Sequence, residues 1–223
     1  MRNPYNLEEL SPIEYVAKGL QIIKDNEEEG KKYLLTAAEN NYIKAYHALG
    51  MYYAYKKNYQ DALNYIFKAY ENGFYNLKEL LFVYVYANAA GFKPYKRQMQ
   101  EILQRVPSHT TLKDYQFLAH IGITLYIFDR KEEASLYLKK AIRKEEGLDA
   151  YYHLGLCYRE GHGVDKDIEY SYTCFMLAED YPSKEAIEKQ LIKYKRKGFI
   201  KKKWKYKEKY ALKHMKKANK ENS

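Results

Sequence analysis

Tyr46-x-x-Leu49-Gly50-x-x-Tyr53, followed by Ala62-x-x-x-Ile66-x-x-Ala69, is the stretch on which the fold turns. Intervals of three and four place Tyr46, Leu49, Gly50 and Tyr53 on one helical face, where rings and Leu fill space and Gly admits a close neighbour. Ala62 and Ala69, seven apart, give a second helix a stripe of small residues that accepts that bulky face. The spacing predicts an antiparallel helical hairpin. A second copy reads Leu118-x-x-Ile121-Gly122-x-x-Leu125 and Ala134-x-x-x-Leu138-x-x-Ala141, with the same twelve-residue step from Gly to the first Ala. A third reads Tyr151-x-x-Leu154-Gly155-x-x-Tyr158 and Ser171-x-x-x-Phe175-x-x-Ala178, its step lengthened to sixteen by a wider turn at Gly161-His162-Gly163-Val164. A lone hairpin cannot bury both faces, so such units are expected to stack into a solenoid.

These units resemble the tetratricopeptide repeat family, whose repeat of about 34 residues carries this order of aromatic, Leu-Gly, Tyr, Ala and Ala. The third is similar to the family's Sel-type variant, from Ala150 and Tyr151 through Gly161, Gly163, Val164 and Asp167 to Phe175 and Ala178. It departs at Ser171, where Ala is the rule, and near Tyr181, where a closing Gly is absent. The resemblance covers roughly residues 12 to 181. Weaker copies fill the gaps: Leu80-x-x-Val83-Tyr84-x-x-Ala87 with Met99, Ile102 and Pro107, and Gly30-x-x-x-Leu34-x-x-Ala37-Ala38 after an opening helix over about 12 to 24. Ser11-Pro12-Ile13-Glu14 suits that helix's start, with Ser as cap, Pro in the first turn and Glu reaching back. The expected architecture is all-α, an α-solenoid of about five antiparallel hairpins over residues 1–181, a closing helix over 182–198 and a basic amphipathic tail over 199–223.

The chain has 223 residues and a formal net charge of +10, with only 11 Gly and 5 Pro, which disfavours a fold of many tight turns and favours long helices. The charge is unevenly spread. Residues 189–223 sum to +13, whereas residues 1–188 sum to −3. Within the tail, Ile200, Trp204, Ala211 and Met215 fall at helical intervals, and Lys201, Lys202, Lys203, Lys205, Lys207 and Lys209 lie around Trp204. That pattern suits packing on the solenoid or on a second copy, contact with nucleic-acid phosphates, or attachment to an anionic membrane surface.

Catalytic and cofactor motifs do not emerge. Cys157 and Cys174 form no CxxC and no ordered Cys, His and Asp set, so buried packing thiols are expected. There is no HExxH, and His120 and His153, each two residues before a repeat Gly, are spaced for stacked helices rather than joint metal coordination. His162 sits in the linker turn, and Asp165 or Asp167 suits a helix cap. No GxxxxGK[ST] phosphate cradle occurs. The N-terminus lacks the order of a secretory signal, and the most apolar run, Leu80 to Ala90, is shorter than the roughly 20 residues of a bilayer span. A soluble, cytoplasmic protein with no metal and no cofactor is expected.

By resemblance, partner-binding positions fall on the first helix of each hairpin: Lys44, His47, Met51 and Tyr55; Gln116, Ile123 and Tyr126; Asp149, Tyr152, Leu156 and Arg159. His47 and Met51 stand where the family's carboxylate clamps carry Lys and Asn. Tyr at such positions equally suits packing between repeats. The reading is a non-enzymatic scaffold or adaptor that binds a peptide or protein in a concave tyrosine-rich groove; the alternative is a nucleic-acid-associated adaptor acting through the basic tail.

Overall fold

The computed structural model describes residues 10–143 and 150–178. All regular structure among them is helical: α1 (Pro12–Ile22), α2 (Glu27–Glu39), α3 (Ile43–Tyr55), α4 (Tyr59–Glu71), α5 (Leu77–Ala89), α6 (Lys96–Leu103), α7 (Tyr115–Ile127), α8 (Lys131–Ala141), α9 (Ala150–Glu160) and α10 (Ile168–Leu177). The chain divides into two compact units, residues 1–93 with α1 to α5 and residues 94–223 with α6 to α10. The closing helix and basic tail expected beyond residue 181 lie outside the described residues.

Starts and stops are written locally. Asn26, Asn58 and Asn76 each cap a helix by accepting the N–H of the third residue on, at 3.2 to 3.3 Å, while their amides donate to the Glu29, Asp61 and Glu79 carboxylates. Ser11 and Glu14 form the expected capping box on α1, and Asp167 caps α10. The ends repeat one device. A residue two past the helix turns left-handed and the next N–H returns to a carbonyl five residues back, as in Tyr42 to Ala37, Asn58 to Tyr53, Phe74 to Ala69 and Arg130 to Leu125.

Gly73 occupies that left-handed position after α4, but Asn41, Lys57 and Asp129 occupy it after α2, α3 and α7. Lys57 is the poorest fit. It lacks the short polar side chain that eases a positive φ in Asn and Asp, and it is exposed. Lys57→Gly is therefore expected to stabilise the chain by about 1 kcal/mol, measured as a higher urea midpoint.

Helices pair in sequence order: α1 with α2 and α3 with α4 in the first unit, α7 with α8 and α9 with α10 in the second. The repeat glycines explain the closeness. A Cβ at Gly50 would lie 2.6 Å from Ile66, at Gly122 2.7 Å from Leu138, and at Gly155 2.7 Å from Phe175, so one contact recurs in three hairpins. In α1/α2 the step is tighter, since a Cβ at Gly30 would lie 2.5 Å from the Ile23 Cα. Ala62 and Ala69 on α4 and Ala134 and Ala141 on α8 are buried. Ser171, the departure from Ala, is buried too, and its hydroxyl donates to the Gly155 carbonyl at 2.7 Å, which satisfies it.

The weak copy is distributed differently. Its two helices exist as α5 and α6, but α5 belongs to the first unit and α6, only eight residues long, to the second. Within each unit, successive first helices also meet, α1 with α3 and α7 with α9. In the second unit the wide turn after α9 docks on α8. Gly163 has φ +63°, and a Cβ there would run into the Ser135 hydroxyl and the Glu132 carbonyl. No helix among the described residues is long and apolar enough to cross a membrane.

Candidate functional site

In the first unit the four positions on α3 form one face, with Lys44 and Tyr55 exposed and His47 and Met51 half-buried. Tyr55 is 84% exposed, an unusual outlay of aromatic surface. His47 lies 4.4 Å from the Phe74 ring, centroid to centroid, and its Nε2 pairs with the Glu79 carboxylate at the start of α5. Asn76 also donates to that carboxylate, so the pair is tied to a helix cap. On the other side, Glu27 of α2 accepts the Tyr52 hydroxyl at 2.6 Å and pairs with Lys56.

Two further residues belong to the same register and escape a reading that starts at residue 44. Gly19 packs on Gly30 and Leu34 as Gly50 packs on Ile66. Aligning those glycines puts Ile13 in the place of Lys44 and Leu20 in the place of Met51. Both are apolar and open to solvent, Ile13 at 64% and Leu20 at 49%. The signal was present in the sequence as Gly19 itself.

The second unit uses the matching positions mostly for packing. Gln116 is exposed, but Ile123 is wholly buried and Leu156 nearly so; neither offers a partner much surface in this conformation. Tyr126 and Arg159 stand four residues after their glycines, in the register of buried Ala54 and one place short of Tyr55. The Tyr126 ring meets His153 edge-on at 5.2 Å, and burial pushes its hydroxyl up to about 12. Tyr152 touches the same imidazole at 5.2 Å and Phe175 at 5.7 Å. Arg159 donates to Glu160 at 2.5 Å. Asp149 and the basic-tail residues Lys201, Lys202, Lys203, Trp204, Lys205, Lys207 and Lys209 lie outside the described residues.

Burial also sets the chemistry of the reactive groups. It pushes the Cys157 thiol up to about 12 and the Cys174 thiol well above its ordinary value, so both are protonated and poor nucleophiles at neutral pH. His153 moves the other way, to about 3, because burial disfavours the imidazolium, and it is neutral at pH 7. His162 Nδ1 lies 3.3 Å from Glu132, in the turn that seats on α8. No family model matches the sequence, and a search of curated proteins returns no match.

Proposed function

We infer that the chain is a non-enzymatic, cytoplasmic scaffold of tetratricopeptide or Sel-like hairpins, which stack as a solenoid and hold a peptide or protein partner on their first helices. One observation carries this reading: Leu20 and Met51 hold the same repeat position on α1 and α3, and with Ile13 and Tyr55 they give these first helices apolar side chains of which three, Ile13, Leu20 and Tyr55, are large and exposed. Anchors of this kind supply affinity, and neighbouring polar groups such as Lys44 and the His47–Glu79 pair set register. The protonated thiols and neutral His153 support a binding role over nucleophilic or acid-base chemistry. A second reading, association with nucleic acid, draws on the +13 charge of residues 189–223.

Peptides selected from a random phage-displayed library against the chain provide the test. They are expected to bind the Met51→Ala/Tyr55→Ala variant about tenfold or more weakly, with far-UV circular dichroism unchanged. Equal affinity for both proteins would remove α3 from the site.

A further inference from the structure

Charge in the first unit is divided between the two helices of the repeat. Carboxylates gather on the second helices, with Glu27, Glu28, Glu29 and Glu39 on α2 and Asp61 and Glu71 on α4, against Lys31, Lys32 and Lys68. The first helices have the opposite balance: Lys18, Lys44 and Lys78 on α1, α3 and α5, against Glu14 and Glu79. Both of those carboxylates are engaged at helix starts. Glu14 accepts the Ser11 N–H at 2.7 Å and the Ser11 hydroxyl at 2.6 Å, while Glu79 accepts the Asn76 amide at 2.6 Å and pairs with His47.

Lys44 and Lys78 are related by the repeat. Setting Leu80-x-x-Val83-Tyr84 of α5 on Tyr46-x-x-Leu49-Gly50 of α3 puts Lys78 in the place of Lys44, and each is the second residue of its helix and exposed. Lys18 is turned elsewhere, over the Tyr33 ring of α2 at 4.9 Å. The cations of the binding face therefore stand at the starts of α3 and α5, with His47 one turn further along α3, beside the apolar Leu20, Met51 and Tyr55.

A ligand suited to this face brings negative charge and apolar side chains together. Nucleic acid offers phosphates for the lysines and bases to stack on Tyr55, but it gives the aliphatic Ile13 and Leu20 nothing to match. A peptide with Asp or Glu beside Leu, Ile or Phe meets both needs. Exposed Lys–carboxylate pairs are individually weak, so the apolar contacts supply affinity and the charges choose the partner. The acidic second helices repel the same segment and direct it to the first helices.

We propose that the partner of the α1 and α3 face is an acidic peptide segment, whose Asp or Glu side chains meet Lys44 and Lys78 while its apolar side chains pack on Leu20, Met51 and Tyr55. This rests on the assignment of α1 and α3 as the binding face and adds the chemistry of what binds there.

The test uses the full chain and a random phage-displayed library, depleted first on a synthetic peptide with the sequence of residues 189–223 so that clones drawn to the basic tail are removed. Peptides then selected on the natural chain are expected to be enriched in Asp and Glu beside Leu, Ile or Phe. They should bind Lys44→Glu/Lys78→Glu about tenfold or more weakly, with far-UV circular dichroism unchanged. Selection on Lys44→Glu/Lys78→Glu itself is expected to reverse the preference to Lys and Arg. Peptides without acidic enrichment, or with equal affinity for the charge-reversed chain, would overturn the acidic partner; if their binding still fell in Met51→Ala/Tyr55→Ala, the face itself would stand. Affinity indifferent to Met51→Ala/Tyr55→Ala would remove the face and the partner with it. Binding of oligothymidine that is lost in Lys44→Glu/Lys78→Glu would overturn the proposal in favour of a nucleic acid.

Discussion

Phe175→Ala is expected to lower stability by about 4 kcal/mol, enough to unfold much of a marginal domain, because the lost ring is among the largest fully buried side chains. The ring fills the space over Gly155 and touches Tyr152 at 5.7 Å, so its removal opens a cavity between α9 and α10 that rigid helices close only in part. The contact also predicts a coupling. Gly155→Ala alone puts a methyl 2.7 Å from the Phe175 ring and 3.1 Å from the Cys174 Cβ, which offsets Ala's advantage in a helix and costs about 1 to 2 kcal/mol net. In the Phe175→Ala background the same methyl enters the cavity and its cost disappears. Urea denaturation of the four proteins should give a coupling of about 2 kcal/mol. Additive effects would show that the glycine does not exist to seat this ring.

The glycines were the most legible part of the molecule. Gly50 and Gly122 stand twelve residues before the small residue of the partner helix and Gly155 sixteen before Ser171, and each glycine meets the bulky residue four places beyond that small one. The caps were readable for the same reason, since a capping box and an Asp cap depend on neighbours three residues away. Departures lie where tertiary context decides. Ile123 and Tyr126 carry the right chemistry for a groove, but packing in the second unit takes the first entirely and half of the second. The weak copy at Leu80 to Pro107 has both helices, but it is divided between the two units, which no periodicity signals. The seating of residues 104–114 against α8, through Tyr137 and Lys140, was illegible for a different reason. Donors that bind backbone carbonyls leave no trace in the sequence they bind.

His153 gives the second large effect, a loss of about 3 kcal/mol of stability between pH 7 and pH 4 attributable to this one side chain. The folded chain holds its imidazole at about 3, against about 6.5 when unfolded, because burial beside the Tyr126 and Tyr152 rings disfavours the charged form. Below pH 6.5 the unfolded state therefore binds a proton that the folded state does not. Unfolded protons exceed native ones, stability rises with pH across that window, and acidification removes about 1.4 kcal/mol per pH unit until the folded value near 3 is approached. Carboxylates titrate in the lower part of the same range, so the effect is read as a difference. His153→Gln keeps a neutral polar side chain there and lacks the proton-binding site. Free energies of unfolding for the two proteins, taken at half-unit steps from pH 7.5 to 4, should converge as pH falls, with the natural chain losing its excess from about pH 6.5 downward. Parallel curves would mean that His153 is protonated as readily in the folded chain as in the unfolded one, and that the α7 and α9 contact admits water.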